Sequence, residues 1–154
     1  MFSKDMGILM IPTRQQKVFV VDDERIIAFT LVTILQQSGF GAVAFTNPLE
    51  ALRASQAEPP DILISDVVMP ELSGLDLALQ VHAICPNCKI ILFSGQTATA
   101  RLLNVVREND HSFDFLMKPM YPTELLRAID NLWSCDSVRA PRSNIAVPQR
   151  RQWR

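Results

Sequence analysis

Five polar side chains stand where short apolar runs end: Asp22 and Asp23 after Val18-Phe-Val-Val21, Asp66 after Ile62-Leu-Ile-Ser65, Ser94 after Lys89-Ile-Ile-Leu-Phe93, and Lys118 after Phe113-Asp-Phe-Leu-Met117. Apolar runs this short suit strands buried on both faces, as in a parallel sheet. The carboxyl ends of such strands line the crevice where open α/β sheets hold their ligands. Neighbouring strands lie about 4.8 Å apart, so if the first and third strands are adjacent, three carboxylates converge within the span of one ion. Unpaired, they repel and raise one another's pKa. A divalent cation relieves this, and an all-oxygen site completed by water and phosphate oxygens suits Mg²⁺. An aspartate oxygen can then attack phosphorus in line and become an aspartyl phosphate, with Lys118 and the Ser94 hydroxyl on the phosphoryl oxygens. Singly, each residue has a plainer role as a loop cap, turn residue or solvated charge.

The elements that must position these groups alternate along the chain. Helical spacing at Ile27, Leu31, Ile34 and Leu35 follows the first strand, with Asp23 as expected N-cap and Gly39 as stop. Ala42-Val-Ala-Phe45 reads as a short second strand. Asn47-Pro-Leu-Glu50 reads as an N-cap, a first-turn proline and a capping-box glutamate, opening a helix to about Gln56. Pro59-Pro60 delivers the chain into the strand ending at Asp66, and Pro70 forces a loop. Leu75 to Ile84 repeats helically after Ser73-Gly74 and stops at Pro86. A further helix is expected from Thr97, with Leu102, Val105 and Val106 inward and a break at Asn109-Asp-His111. Pro122 opens the last one, lined by Leu125, Leu126, Ile129, Leu132 and Trp133. Five βα units imply a parallel sheet with helices on both faces and right-handed crossovers.

With 48% hydrophobic and 20% charged residues in 154, the chain has enough apolar content for one core. The expected division is a loose leader over 1–16, a domain over 17–135 and a basic, disordered tail over 136–154. Between Lys17 and Trp133, fourteen acids face eight lysines and arginines, a balance of −6. The tail carries Arg139, Arg142, Arg150, Arg151 and Arg154 and no acid after Asp136. No apolar run nears the roughly 20 residues of a membrane span, and the start lacks a secretory signal, so no membrane partner is expected and a cytoplasmic location is. Three cysteines make an odd number, against a disulfide framework. Cys85-Pro-Asn-Cys88 lies at a helix end, where a reactive dithiol would lack the acidifying helix N-terminus. His82 and His111 fit no zinc pattern, and His82 reads as a surface residue of the third helix. Aromatic interleaving in the tail is limited to Trp153 and no helix-turn-helix fits there, so nucleic acid is not the expected partner.

In order and spacing, Val20-Val-Asp-Asp-Glu24, Asp66-Val-Val-Met-Pro70, Ser73-Gly-Leu-Asp76, Phe93-Ser-Gly95 and Phe115-Leu-Met-Lys-Pro119 resemble the receiver domain of two-component response regulators over about residues 17 to 135. The resemblance implies a flavodoxin-like (βα)5 doubly wound parallel sheet of strand order 2-1-3-4-5. It also implies that Asp66 is the phosphoacceptor, that Asp22 and Asp23 with Asp66 and the Val68 backbone carbonyl hold Mg²⁺, that Lys118 binds the phosphoryl group, and that Ser94 and Phe115 form the switch. A cis Lys118–Pro119 bond belongs to the same likeness. The implied partners are a sensor histidine kinase or histidine phosphotransfer protein and a downstream protein target. The face made by the helix from Thr97, the fifth strand and the last helix would read out the signal, and it leaves a homodimer open. The expected function is a single-domain response regulator, with no enzymatic role beyond its own phosphorylation and dephosphorylation; the competing reading is a non-switching interaction module on the same fold. Val68 and Gln96 flank the family's path for the hydrolytic water, and Val68 has no side-chain hydrogen bond to offer it. A long-lived phosphorylated state is therefore expected.

Overall fold

A computed structural model describes residues 15–95, 104 and 113–137. Its elements are β1 (Lys17–Val21), α1 (Arg25–Gln37), β2 (Gly41–Phe45), α2 (Pro48–Ala57), β3 (Ile62–Asp66), α3 (Gly74–Ile84), β4 (Lys89–Ser94), β5 (Asp114–Met117) and α4 (Pro122–Ser137). The helix expected from Thr97 lies outside the described residues, apart from Asn104, which is helical. So do nearly all of the expected leader and most of the tail.

All five strands pair in parallel in the order β2-β1-β3-β4-β5. This is the flavodoxin-like order implied by the sequence resemblance. Alternation along each strand sends side chains to two cores. Val18, Val20, Ile62, Ile64, Ile91 and Phe93 face Leu31 and Leu35 of α1 and Leu125 and Ile129 of α4. Phe19, Val21, Leu63, Ile90 and Leu92 face Ala51 of α2 and Leu77, Ala78 and Val81 of α3. Leu63, Ile64, Ile91 and Leu92 are wholly buried, each contributing about 1.5–3 kcal/mol of apolar transfer before entropy is subtracted. That burial sets the depth of every strand and therefore where every strand ends.

The strand starts are tied as well. Asp61 Oδ2 accepts from Lys17 N at 2.8 Å, Asp61 N donates to Lys17 O, and Asp61 O accepts from Lys89 N. One residue thus aligns β1, β3 and β4 at the edge opposite their functional ends.

Helix ends follow the sequence signals with one correction. Asn47 Oδ1 accepts from Leu49 N with Pro48 at the start of α2, and Ser73 Oγ accepts from Asp76 N at the start of α3. Gly39, after α1, has φ 95, the left-handed conformation glycine adopts freely. Asp23 does not cap α1: the N-cap is Glu24, without a side-chain cap bond. The carboxylate in this turn that accepts a backbone hydrogen bond is Asp22, from Glu24 N at 2.8 Å. A carboxylate this buried must find an N–H donor nearby, whereas Asp23 is exposed to water.

Candidate functional site

β1 and β3 are neighbours, so Asp22, immediately after β1, and Asp66, the last residue of β3, come together at one edge of the sheet. Asp22 N donates to Phe45 O, carrying the β1–β2 ladder one residue further and fixing its backbone. Lys118 N likewise donates to Ser94 O at 3.0 Å, extending the β4–β5 ladder, and the following Lys118–Pro119 bond is cis. Asp22, Asp66 and Ser94 are all buried.

Carboxylate oxygens from Asp22, Asp23 and Asp66 lie within 4.8 Å of one another. Lys118 Nζ is 3.2 Å from Asp66 Oδ2, so Asp66 is not unpaired as the sequence reading assumed. Asp22 is raised from 3.8 to about 6. Burial is the main cause; the Glu24 N–H opposes it, Asp66 and Asp23 add repulsion, and Lys118 lowers it. Like-charge repulsion, the cause named from sequence, is secondary to desolvation here.

The fit of a divalent cation rests on one atom. Asp22 Oδ2 is buried and has no hydrogen-bond partner, an arrangement that costs free energy unless something binds there. With Asp23 half of an acidic pair and Asp66 beside it, the donors are all hard oxygens, which suits Mg²⁺. Asp22, Asp23 and Asp66 would hold it.

The loop after Asp66 is shaped by Gly74, read from sequence only as part of a helix start and a motif, and by Glu71, which carried no sequence signal. A Cβ at Gly74 would run into the Asp66 carbonyl oxygen and the backbone of Val67, and Gly74 N donates to Val67 O at 2.8 Å. Only glycine lets α3 start this close to the acceptor strand. Glu71 has φ 71, inside a turn closed by Leu72 N donating to Pro70 O, an i to i+2 bond of the γ-turn kind. Two-residue signals such as Ser-Gly point to a helix start but not to what the glycine must avoid.

The other expected site residues are placed as follows. Val68 follows on the loop and is 68% exposed. Ser94 Oγ donates to Gly95 O at 3.2 Å, turned along its own backbone. Phe115 is half-buried against the core beneath α2 and α3. Beside Lys118 a groove of about 550 Å³ is lined by Glu24, Ile26, Ile27, Phe93, Lys118 and Met120 among others. Away from the site, Cys88 is buried and its thiol is pushed up to about 12, mainly by burial, in line with the reading of this pair as poorly reactive. His82 is half-buried rather than on the surface, its ring edge-on to Phe113 with centroids 5.9 Å apart. No helix among the described residues is long and apolar enough to cross a membrane.

A five-stranded parallel sheet with three carboxylates, a lysine and a buried serine at its strand ends is that of an α/β domain with an acidic pocket at the carboxyl edge of the sheet. The chain belongs to the response regulator receiver domain family, whose model matches residues 18–130. It is 29% identical over 118 residues to the chemotaxis protein CheY of Thermotoga maritima, covering 76% of this chain and 97% of that protein. To the transcriptional regulatory protein CreB of Escherichia coli it is 32% identical over 120 residues, covering 77% of this chain but 51% of CreB, so the chain spans about half of that relative. A receiver domain protein structure from Clostridium thermocellum superposes with TM-score 0.71 at 26% identity, covering 81% of this chain and 99% of that one. A response regulator receiver protein from Pseudomonas putida gives 0.67 at 28%, with 78% and 99% covered. Receiver domains are phosphoacceptor signalling domains of two-component systems, not enzymes in the usual sense, and they generally bind Mg²⁺ at an acidic pocket.

Proposed function

We propose that this chain accepts a phosphoryl group on Asp66 from a histidine kinase or histidine phosphotransfer protein and, so modified, changes its affinity for a downstream protein. The observation that carries the reading is the ion pair of Lys118 with a buried Asp66 beside two further carboxylates. An Asp66 oxygen forms the new O–P bond as the N–P bond of the donor phosphohistidine breaks, and the departing imidazole keeps the electron pair and takes a proton. Lys118, 3.2 Å from Asp66, follows the incoming phosphoryl oxygens and neutralises their charge. Bound Mg²⁺ supplies the remaining charge neutralisation for carboxylates and phosphoryl oxygens.

The acquired group brings about −1.5 to −2 charge. Ser94 Oγ, now turned to Gly95 O, can rotate to donate to it, and Phe115 can follow into the space vacated behind β4. The half-burial of Phe115 and its lack of a hydroxyl favour an inward ring. Val68 supports slow hydrolysis: it is exposed next to the acceptor and offers a water nothing to bond to.

The test is incubation with a small phosphodonor and Mg²⁺, followed by intact mass. Wild type gains one phosphoryl group and Asp66→Asn gains none. Absence of any gain in the wild type supports the alternative, an interaction module that keeps the fold without switching.

A further inference from the structure

We propose that Phe93 is a positioning residue for Lys118, its ring face holding the ammonium over the acceptor through a cation–π contact; this rests on Asp66 being the phosphoacceptor. Lys118 Nζ lies 5.4 Å from the Phe93 ring centroid and 3.2 Å from Asp66 Oδ2. Both neighbours are set by one pairing, because Asp66 and Phe93 are direct partners in the β3–β4 register and so project to the same face of the sheet. The pairing is closed by Val67 N donating to Phe93 O at 3.1 Å.

The ring cannot drift. Phe93 is 1% exposed and packed in the core that α1 and α4 cover. Lysine, by contrast, has four rotatable bonds and loses about 2 kcal/mol of rotamer freedom when held in one place. An ammonium tied only to the Asp66 carboxylate would have to exchange that tie for the phosphoryl oxygens as Asp66 becomes an acyl phosphate and its charge moves outward. The negative ring face attracts the ammonium whatever the state of Asp66, so Lys118 stays poised at the site before, during and after transfer. With Lys118 one-third exposed, the contact is partly desolvated, the condition under which cation–π attraction gains strength. An aliphatic side chain of similar volume would fill the same core without this attraction.

The experiment is binding of beryllofluoride with Mg²⁺, a phosphoryl mimic, followed by ¹⁹F NMR on the full chain. Phe93→Leu is expected to weaken binding about fivefold. Because leucine also alters packing, the second variants place 4-fluoro- and 3,4,5-trifluorophenylalanine at position 93, which drain the ring quadrupole at nearly constant shape. Affinity is expected to fall stepwise with fluorination while the thermal midpoint stays level. A flat series in a chain that binds beryllofluoride overturns the positioning role and leaves the phosphoacceptor reading standing. Failure of the wild type to bind it overturns that reading and this role with it.

Discussion

Lys118 Nζ stands 3.2 Å from Oδ2 of Asp66, and the two come from strand ends that the sheet separates by β4. The same ammonium lowers the pKa of Asp22, so one lysine acts on two of the three clustered carboxylates. Under the proposed function, a cation held there would compete with a metal ion for Asp66 and at the same time prepare the site for a phosphoryl group.

Lys118→Ala separates these two effects. Removing the ammonium is expected to tighten Mg²⁺ binding several-fold, since roughly one unit of positive charge leaves a partly buried site. It should also slow phosphoryl uptake from a small donor by at least about tenfold. Calorimetric Mg²⁺ titration and timed mass spectra measure the two. Loss of Mg²⁺ affinity on removing Lys118 would contradict the competition.

The pH dependence comes from Asp22. Its folded pKa, about 6, exceeds its unfolded value of 3.8, so the native state holds the proton more tightly. The stabilisation from that proton is complete below about pH 4 and is lost as pH rises through about 6. In metal-free buffer, Asp22→Asn, which keeps the uncharged form, should be more stable than wild type at pH 7 by on the order of 2 kcal/mol and level with it near pH 4. Urea unfolding of both proteins across this range gives the difference directly. Mg²⁺ affinity of the wild type should fall below about pH 6, where protons compete for Asp22.

Opposite signs are expected for two substitutions in one loop. Gly74→Ala forces a Cβ onto the Asp66 carbonyl and should cost about 2 kcal/mol or more, with weakened Mg²⁺ binding as the loop shifts. Glu71→Gly relieves a positive φ at a residue with a Cβ and should stabilise by about 1 kcal/mol. Chemical denaturation midpoints decide both, and a destabilised Glu71→Gly would show that its side chain matters more than its backbone.

Val68 is expected to govern persistence of the phosphorylated state. Exposed two residues after the acceptor, its side chain offers the attacking water no hydrogen bond, and Val68→Asn should shorten the lifetime several-fold by supplying one. Loss of label over time measures it. A lifetime of seconds that Val68→Asn does not shorten would sink the idea.

Much of this was legible in sequence because the information was local. Val18 to Val21 and Ile62 to Ser65 are too apolar to be anything but buried, and the polar residue that ends each run had to emerge at a strand end. The strand order came with the family resemblance, since periodicity alone does not choose among right-handed crossovers. What stayed hidden was contact between distant residues. Nothing near Phe93 in the chain marks it as the floor beneath Lys118, and nothing near Gly74 reveals the Asp66 carbonyl it must clear. Asp22 and Asp23 look interchangeable in sequence; in the fold one is the buried, hydrogen-bonded member whose pKa is raised mainly by burial, and the other is exposed. That same blindness to burial left repulsion as the only cause of a raised pKa that sequence could name.

The central claim is that Asp66 itself carries the phosphoryl group. After treatment with a phosphodonor and Mg²⁺, borohydride reduces an acyl phosphate to the alcohol, converting the modified aspartate to homoserine, and peptide sequencing by mass spectrometry locates it. Homoserine at position 66, absent when Mg²⁺ is chelated, is the expected result. Homoserine at position 22 or 23 instead, or none in a protein that has gained the mass of a phosphoryl group, would contradict it.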